Sequence, residues 1–296
     1  MTADSRCGLG CTGCGWKKSH GCGGCIETNG RPFHGECPVA QCCQNKNLNH
    51  CGECDLIPCE KLYKYSYLDP EHGDKPQGKR ITVCRGWAAQ DGIHKWENVL
   101  LTDSGWYSSF GGGVNKVILD RFLNMLKKPA SQVKVIFVMT AATTDESRPA
   151  AGKCFAELLS AGILARNILL YDIDGSLNIE QAMQYDVIYF TGGDAGHLLR
   201  RIRETGFDAI VKKMVYADKV YVGASAGSLI ASPNIRDPYD GETAGLCFIN
   251  AYLSFHCPAG TEPKTDLPLP HIPLSGGQAL AVNWAGYDLI GKKHRS

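Results

Sequence analysis

The stretch VYVGASAGSLIA, Val220–Ala231, decides the predicted fold of this chain. An apolar strand runs into a series of small residues, and the letters SLIA can begin a helix. A nucleophile elbow needs this context, because the chain turns so tightly between strand and helix that the neighbours of the nucleophile must be small. Gly223, Ala226 and Gly227 supply the room, so Ser225 would project where open α/β sheets place their sites. An ordinary turn of glycine and alanine fits the same letters, so the stretch alone leaves both interpretations open.

Apolar strands and amphipathic helices alternate along the chain before this stretch. VKVIFVMTAA (133–142) and DVIYFTGG (186–193) read as strands buried on both faces of a sheet, and GVNKVILDRFLNMLKK (113–128) has helical periodicity. AGHLLRRIRETGFDAIVKKMVYA (195–217) predicts two helices with a break at Gly206. This alternation predicts a mostly parallel sheet that is covered by helices on both faces.

A second strand also ends in glycines. In YFTGGDAGHLL (189–199), Gly192 and Gly193 can bring backbone N–H groups close to a ligand, because no Cβ stands in the way. Two such strand ends can face one crevice, where Ser225 attacks and the N–H groups of Gly193 and Ala226 stabilise an oxyanion. The alternative is that the two glycines only make a tight turn between strand and helix.

Three segments carry a family resemblance: DVIYFTGGDAGHLLRRIRETG, VYVGASAGSLIASPNIRDPYD and GLCFINAYLSFHCP. In this order and spacing they resemble the peptidase S51 family, which includes peptidase E and cyanophycinase. The resemblance covers roughly Asn98 to Gly291. It implies a three-layer α/β/α fold with a mostly parallel sheet, similar to class I glutamine amidotransferases, and a serine nucleophile in place of their cysteine.

The resemblance implies roles for individual residues. Ser225 matches the nucleophile, His256 the general base, and Gly193 and Ala226 the oxyanion donors. Asp240 is the candidate third polar partner. The family's own orienting acid, in a turn near the C-terminus, would fall on Ser275 or Gly276, so Glu262 and Asp266 remain substitutes for it.

The predicted activity is amide hydrolysis of a small peptide, with aspartyl dipeptides as the substrate class that the resemblance suggests. Gly192, Asp194 and Arg236 are the predicted substrate contacts, and the planar fork of Arg236 suits a carboxylate. No cofactor is needed for this reaction. Two other interpretations stay open: a catalytically degenerate domain that binds a small ligand as a sensor, and a metal or redox protein in which the hydrolase fold is only a scaffold.

Length and charge exclude several classes of protein. The chain has 296 residues, enough for two domains, and its formal net charge is +1. Near neutrality argues against a nucleic-acid footprint, and no apolar run approaches the roughly 20 residues that span a bilayer. The first residues show no secretory signal. We therefore expect a cytoplasmic protein with a Cys-rich domain and linker at 1–96 and a hydrolase domain at 97–296.

Twelve of the 15 cysteines lie at or before Cys84. In a reducing compartment, this density at short spacings is typical of metal binding, with zinc as the expected ion and an iron–sulfur cluster as the rival. The pattern also resembles a Cys-rich domain of unknown function, the DUF3795 type. The domain is predicted to serve recognition or regulation, with a protein partner as one use. The predicted ligands are Cys7, Cys11, Cys14, Cys22, Cys25, Cys37, Cys42, Cys43, Cys51, Cys54 and Cys59.

Overall fold

The computed structural model describes residues 3–93, 96–106, 113–236, 243–284 and 286–291. The chain forms two compact units, Met1–Lys95 and Trp96–Ser296. We call the first the Cys-rich unit and the second the α/β unit. No helix in the described ranges is both long and apolar enough to cross a membrane.

Short helices make up the Cys-rich unit, which has no strand within residues 3–93. Few of its side chains are large and apolar, so its buried positions are shared between aliphatic residues such as Leu62 and thiols such as Cys43. The helices are α1 (Gly15–His20), α2 (Gly24–Glu27), α3 (Pro38–Asn45), α4 (Glu60–Tyr63), which continues as a π-helical turn (Lys64–Leu68), and α5 (Lys79–Gln90); Cys51–Glu53 forms a 3-10 turn.

The α/β unit alternates strands and helices as the sequence predicts. Gly206 has a left-handed φ of 67° and separates two helices, which confirms the predicted break. The strands are β1 (Val99–Thr102), β2 (Val135–Val138), β3 (Ile168–Tyr171), β4 (Val187–Phe190), β5 (Val220–Ala224), β6 (Tyr252–Ser254), β7 (His271–Pro273), β8 (Gln278–Asn283) and β9 (Gly286–Gly291). The helices are α6 (Lys116–Met125), α7 (Ser147–Ser160), α8 (Ile179–Ala182), α9 (Ala195–Thr205), α10 (Phe207–Tyr216) and α11 (Ala226–Leu229), with 3-10 turns at Ala130–Gln132 and Ala165–Asn167.

Seven strands form one sheet in the order β3-β2-β4-β5-β1-β8-β9. The first five are mutually parallel, while β8 and β9 add an antiparallel hairpin at the β1 edge. This confirms the predicted mostly parallel sheet. In the register, Thr102 of β1 lies beside Ala224 of β5, and Phe190 of β4 lies beside Gly223. The residues that follow β1, β4 and β5 therefore meet at one edge of the sheet.

Two apolar layers cover the sheet, one on each face. Strand side chains alternate between them: Ile136 and Ile188 belong to one layer, and Phe137 and Tyr189 to the other. The first layer is completed by α9 and α10, and the second by α6 and α7. The result is the predicted three-layer α/β/α arrangement, with an apolar core on each face of the sheet that fixes the positions of the strand ends.

Candidate active site

Ser225 occupies a strained turn between β5 and α11. Its backbone has φ 50° and ψ −108°, a conformation that costs a residue with a Cβ on the order of 1–3 kcal/mol and persists only where the surroundings impose it. A Cβ on Gly223 would lie 2.5 Å from the Gly227 oxygen, and one on Gly227 would lie 2.4 Å from the Phe190 oxygen. Both contacts are to backbone, so only glycine fits. The tight elbow predicted for this stretch is therefore the geometry that the structure has.

His256 lies beside the serine. Its Nε2 is 2.8 Å from Ser225 Oγ, which is hydrogen-bond distance. His256 follows β6 and also has a positive φ, of 58°. Its side chain is 58% exposed, so a small molecule can reach the imidazole from solvent. The structure thus brings together the two residues predicted as nucleophile and general base.

Asp103 completes the group, and no motif in the sequence predicts it. Its carboxylate is buried, with Oδ2 3.3 Å from His256 Nδ1 and Oδ1 accepting the His256 backbone N–H at 2.5 Å. One carboxylate therefore holds both the ring and the main chain of the histidine. This contact raises the pKa of His256 above its ordinary value, because the carboxylate stabilises the imidazolium.

The turn after β1 explains why Asp103 points this way. The Thr102 hydroxyl donates to the Gly223 oxygen at 2.8 Å and accepts the Gly105 N–H at 2.8 Å. The Thr102 carbonyl accepts the Ser225 N–H at 3.1 Å. The turn that carries the acid is thus bonded directly to the strand that carries the nucleophile. The available sequence signal was NVLLTDSG, an apolar strand that ends in Asp. It points to the site only once β1 is known to lie beside β5.

The glycine pair after β4 faces the nucleophile. A Cβ on Gly192 would lie 3.3 Å from the Ser225 Cβ, so this turn contacts the elbow. Gly193 has φ 137°, and a Cβ there would lie 1.9 Å from the Ala141 oxygen. Asp194 is exposed and caps α9 by accepting the His197 N–H at 2.9 Å. The role of the pair as oxyanion donor and substrate contact stays a prediction.

The remaining predicted residues fall in several environments. Ala226 is buried at the start of α11, and Arg236 is exposed, with its N–H bonded to Asn234 Oδ1. Glu262 and Asp266 are exposed on the segment that follows His256. Ser275, one of the two positions considered for the family's acid, is buried against Gln278. Asp240 lies outside the described residues.

All fifteen cysteines are described and none forms a disulfide. Within the described residues, no group of three or more His, Cys, Asp or Glu side chains is placed to hold a metal ion. Some thiols nevertheless gather around one small cavity in the Cys-rich unit, where Lys46 Nζ is 3.5 Å from Cys54 Sγ and Cys43 Sγ is 3.5 Å from Cys51 Sγ. The cysteines that line this cavity are Cys42, Cys43, Cys51, Cys54 and Cys59.

Hydroxyl, imidazole and buried carboxylate in this order form the arrangement used for nucleophilic acyl transfer. A carboxylate beside Nδ1 favours the tautomer that carries the ring proton on Nδ1. Nε2 is then free to accept the Ser225 proton. The edge of the sheet therefore holds the parts needed to activate a serine.

Comparison with known families gives two matches. The sequence model described as "Peptidase family S51" matches residues 99–247, half of the chain. The model described as "Protein of unknown function (DUF3795)" matches residues 3–64. Both matches confirm the resemblances drawn from the sequence.

Individual relatives agree with this assignment. The chain is 35% identical over 104 residues to the uncharacterized peptidase Lin0382 of Listeria innocua, covering 34% of this chain and 48% of the relative. It is 35% identical over 103 residues to the uncharacterized peptidase Lmo0363 of Listeria monocytogenes, covering 34% and 49%. The chain thus spans about half the length of these curated relatives.

A solved structure shares the fold. The crystal structure of a candidate peptidase E protein from Listeria monocytogenes EGD-e aligns with a TM-score of 0.50 and 22% sequence identity. The alignment covers 66% of this chain and 98% of that one. The similarity therefore concerns the α/β architecture.

Proposed function

The chain belongs to peptidase family S51, and on this premise we propose that it is a serine hydrolase that cleaves small peptides through Ser225. One observation carries the proposal: Ser225 Oγ, the His256 imidazole and the buried Asp103 carboxylate follow one another at contact distances of 2.8 and 3.3 Å. Family membership supports the reaction class, and this geometry supports the serine type.

The proposed reaction passes through an acyl-enzyme. His256 Nε2 accepts the Ser225 proton while Oγ attacks the peptide carbonyl carbon, which forms a tetrahedral intermediate. The backbone N–H groups of Gly193 and Ala226 donate to its oxyanion. His256 then gives the proton to the leaving amine as the C–N bond breaks. Water, deprotonated by the same imidazole, hydrolyses the ester and restores the serine.

Asp103 takes the place of the third member in this proposal. It stabilises the imidazolium that forms after attack and holds the ring in the productive tautomer. Asp240, predicted for that position from the sequence, is instead proposed as a contact for the amine of the substrate. Gly192, Asp194 and Arg236 are proposed as further substrate contacts, with the Arg236 guanidinium binding a carboxylate.

Hydrolysis of a dipeptide panel tests the proposal. Purified full-length protein is incubated with Asp-X, β-aspartyl-X, Glu-X and Ala-X peptides, beside Ser225→Ala and the matched control Ser176→Ala, whose serine is exposed on the loop before α8. We expect cleavage by the wild type and the control and none by Ser225→Ala. Activity on other peptides alone would remove the aspartyl preference and keep the mechanism.

A fluorophosphonate probe provides a second readout that needs no substrate. We expect one adduct per chain on Ser225, detected by intact mass and peptide mapping, and none in Ser225→Ala. Absence of both cleavage and labelling in folded wild-type protein would contradict the enzyme proposal. The catalytically degenerate, ligand-binding interpretation would then be the one to pursue.

For the Cys-rich unit we propose zinc binding, supported by the five thiols that line one cavity. Thiolates are preferred ligands of zinc and of iron–sulfur clusters, so the donor chemistry fits although the described side chains do not yet form a coordination set. Metal analysis and the visible spectrum of the full chain distinguish zinc from an iron–sulfur cluster. We expect Cys54→Ser to lower the metal content and Cys154→Ser, in the α/β unit, to leave it unchanged. Fewer than one zinc per chain would contradict the proposal, and iron in its place would favour the iron–sulfur alternative.

A further inference from the structure

A buried carboxyl group lies on the far side of the turn that carries Asp103. Glu157 of α7 is 1% exposed, and its Oε2 accepts the Trp106 N–H at 3.2 Å. A Cβ on Gly105 would lie 2.2 Å from the same oxygen, so the turn rests directly on the carboxyl group. Glu157 therefore contacts the turn two and three residues after the acid that holds the histidine.

The other side of this turn is already fastened to the sheet. The Thr102 hydroxyl bonds both the Gly105 N–H and the Gly223 oxygen, which belongs to the strand of the nucleophile. Residues 102–106 are thus held between β5 on one side and α7 on the other, with Asp103 between the two fastenings.

We propose that Glu157 is a positioning residue of the hydrolase, acting through the 102–106 turn on Asp103 and so on His256. This inference rests on the proposed mechanism, because it concerns how the third member is held. Glu157 itself does not take part in the chemistry. Its function is to fix the distance between the Asp103 carboxylate and the imidazole.

The surroundings of Glu157 separate this role from a merely structural one. Cys154 of α7 and Tyr189 of β4 face the carboxyl group, in the same apolar layer as Phe122 and Leu158. Replacing the buried carboxyl group with leucine leaves the Trp106 N–H without its acceptor, so stability falls whatever the role of Glu157. A merely structural residue would lower stability and leave the pKa of His256 and the reactivity of Ser225 unchanged, whereas a positioning residue would change both.

The test uses three substitutions at one site. Glu157→Leu keeps the volume and removes the acceptor. Glu157→Asp keeps a carboxyl group and withdraws it from the Trp106 N–H, and Glu157→Gln keeps one acceptor oxygen. The neighbouring Leu158→Val is the matched control, because it disturbs the same layer without a hydrogen bond to the turn. Thermal unfolding of each variant reports the cost to the fold.

Two measurements report the position of His256. Imidazole resonances followed by NMR during a pH titration give the pKa of His256 without any substrate, so this readout stands even if no peptide is cleaved. Among the described residues, the groups that contact the His256 side chain are Asp103 and Ser225, which the substitutions leave in place. The rate of fluorophosphonate labelling against pH gives the reactivity of Ser225.

In Glu157→Leu and Glu157→Asp we expect the pKa of His256 to fall toward its ordinary value and labelling to slow about tenfold or more, since misplacement of a catalytic group by about 1 Å costs on the order of 100-fold. With an identified peptide, kcat falls and KM stays. Glu157→Gln retains the wild-type behaviour, and Leu158→Val changes stability alone.

Wild-type His256 titration and labelling in folded Glu157→Leu would overturn the proposal. The proposal would also be overturned if Glu157→Leu and Leu158→Val lost the same stability and showed the same fall in labelling rate and in the pKa of His256. If Glu157→Leu does not fold, Glu157→Asp decides by the same criteria. If the pKa of His256 falls in Glu157→Leu and Glu157→Asp as expected but the wild type cleaves no peptide, the proposed function is removed and the positioning contact is kept.

Discussion

In the α/β unit every residue of β1, β2, β4 and β5 is buried, whereas the longest helix of the Cys-rich unit has 12 residues and several of its buried positions are thiols. The first unit is held by a parallel hydrogen-bonded ladder with an apolar layer on each face. The second places cysteines where a larger domain would place leucine and valine, and for a segment this poor in apolar side chains we expect stability to depend on a bound metal.

This difference in core composition indicates which site geometry the folded chain can hold without a bound ligand. A core on both faces of the sheet holds the ends of β1 and β5 in place, so it can impose a positive φ on Ser225 and bury the Asp103 carboxylate that contacts His256. In the proposed zinc-bound form, the metal would draw thiols of the Cys-rich unit into their final arrangement. We therefore expect the two units to respond differently to metal removal, to changes in the site and to changes in the backbone.

Metal removal should give the largest difference. Structural zinc contributes on the order of 10 kcal/mol to the folding of small domains, and the proposed zinc would do so in the Cys-rich unit. We expect a strong chelator to abolish hydrogen-exchange protection in the Cys-rich unit and to leave protection in β4 and β5 unchanged. Mass-spectrometric exchange on the intact chain measures both regions in one sample.

The control for this experiment is fluorophosphonate labelling of Ser225 in the same chelated protein, which should continue at its original rate. Restoring zinc should restore protection. Unchanged exchange in the Cys-rich unit after the metal has left would show that its small apolar core is sufficient, and the contrast between the two units would be lost.

Replacing Asp103, the proposed third member of the catalytic group, should have the second-largest effect. Asp103→Asn keeps the shape of the side chain and removes the charge, which in a comparable serine–histidine site lowers kcat by about 10⁴. The pKa of His256 should fall, because the carboxylate that raises it is gone. Hydrolysis needs the neutral imidazole, so activity rises as the pH rises through that pKa. The acid limb of the rate profile therefore moves to lower pH while the plateau falls.

The matched control is Asp186→Asn, an aspartate just before β4 at the opposite end of the sheet, where it accepts the Lys134 N–H at 2.8 Å. It should retain both the plateau and the acid limb. An Asp103→Asn enzyme with a wild-type profile would remove Asp103 from the mechanism and return the search for the acid to Asp240.

A backbone clash in the elbow should cost stability. In Gly227→Ala the new Cβ would lie 2.4 Å from the Phe190 oxygen, and neither strand nor helix can retreat within the core. We expect the free energy of unfolding of the α/β unit to fall by about 3 kcal/mol. Urea denaturation followed by tryptophan fluorescence measures it. A loss below about 0.5 kcal/mol would show that the elbow is less tightly packed than its geometry indicates.

The sequence predicts the parts of the site that depend on local geometry. A tight turn allows only small residues, so Gly223 and Gly227 identify the elbow, and the family resemblance adds His256. The role of Asp103 was not predicted from the sequence, because it depends on which strands are neighbours in the sheet. β1 lies beside β5 although about 120 residues separate them, and nothing in NVLLTDSG itself announces that pairing. Long-range register is the information that a single sequence does not contain.

The same limit applies more strongly to the cysteines. Their spacing predicts that thiols come close in short pairs, yet the cavity lined by Cys42, Cys54 and Cys59 joins α3 to two later segments. Which thiols share a site depends on how short helices with little core lie against one another. Local spacing therefore predicts the chemistry of this unit better than its ligand sets.

The smallest expected effect comes from replacing an exposed glycine in a helix of each unit. It tests most directly whether the two units unfold independently. Gly86 in α5 and Gly152 in α7 are exposed in helix interiors, and a Cβ on either would meet nothing within 4 Å. Alanine reduces the freedom of the unfolded chain and favours helix, so each substitution should stabilise its own unit by about 0.5–1 kcal/mol. In hydrogen exchange of the metal-loaded chain, Gly86→Ala should raise protection in α5 alone, and Gly152→Ala in the α/β unit alone. Protection that rises in both units after either substitution would mean that they unfold together, because a local gain in helix stability can spread only through a shared cooperative transition.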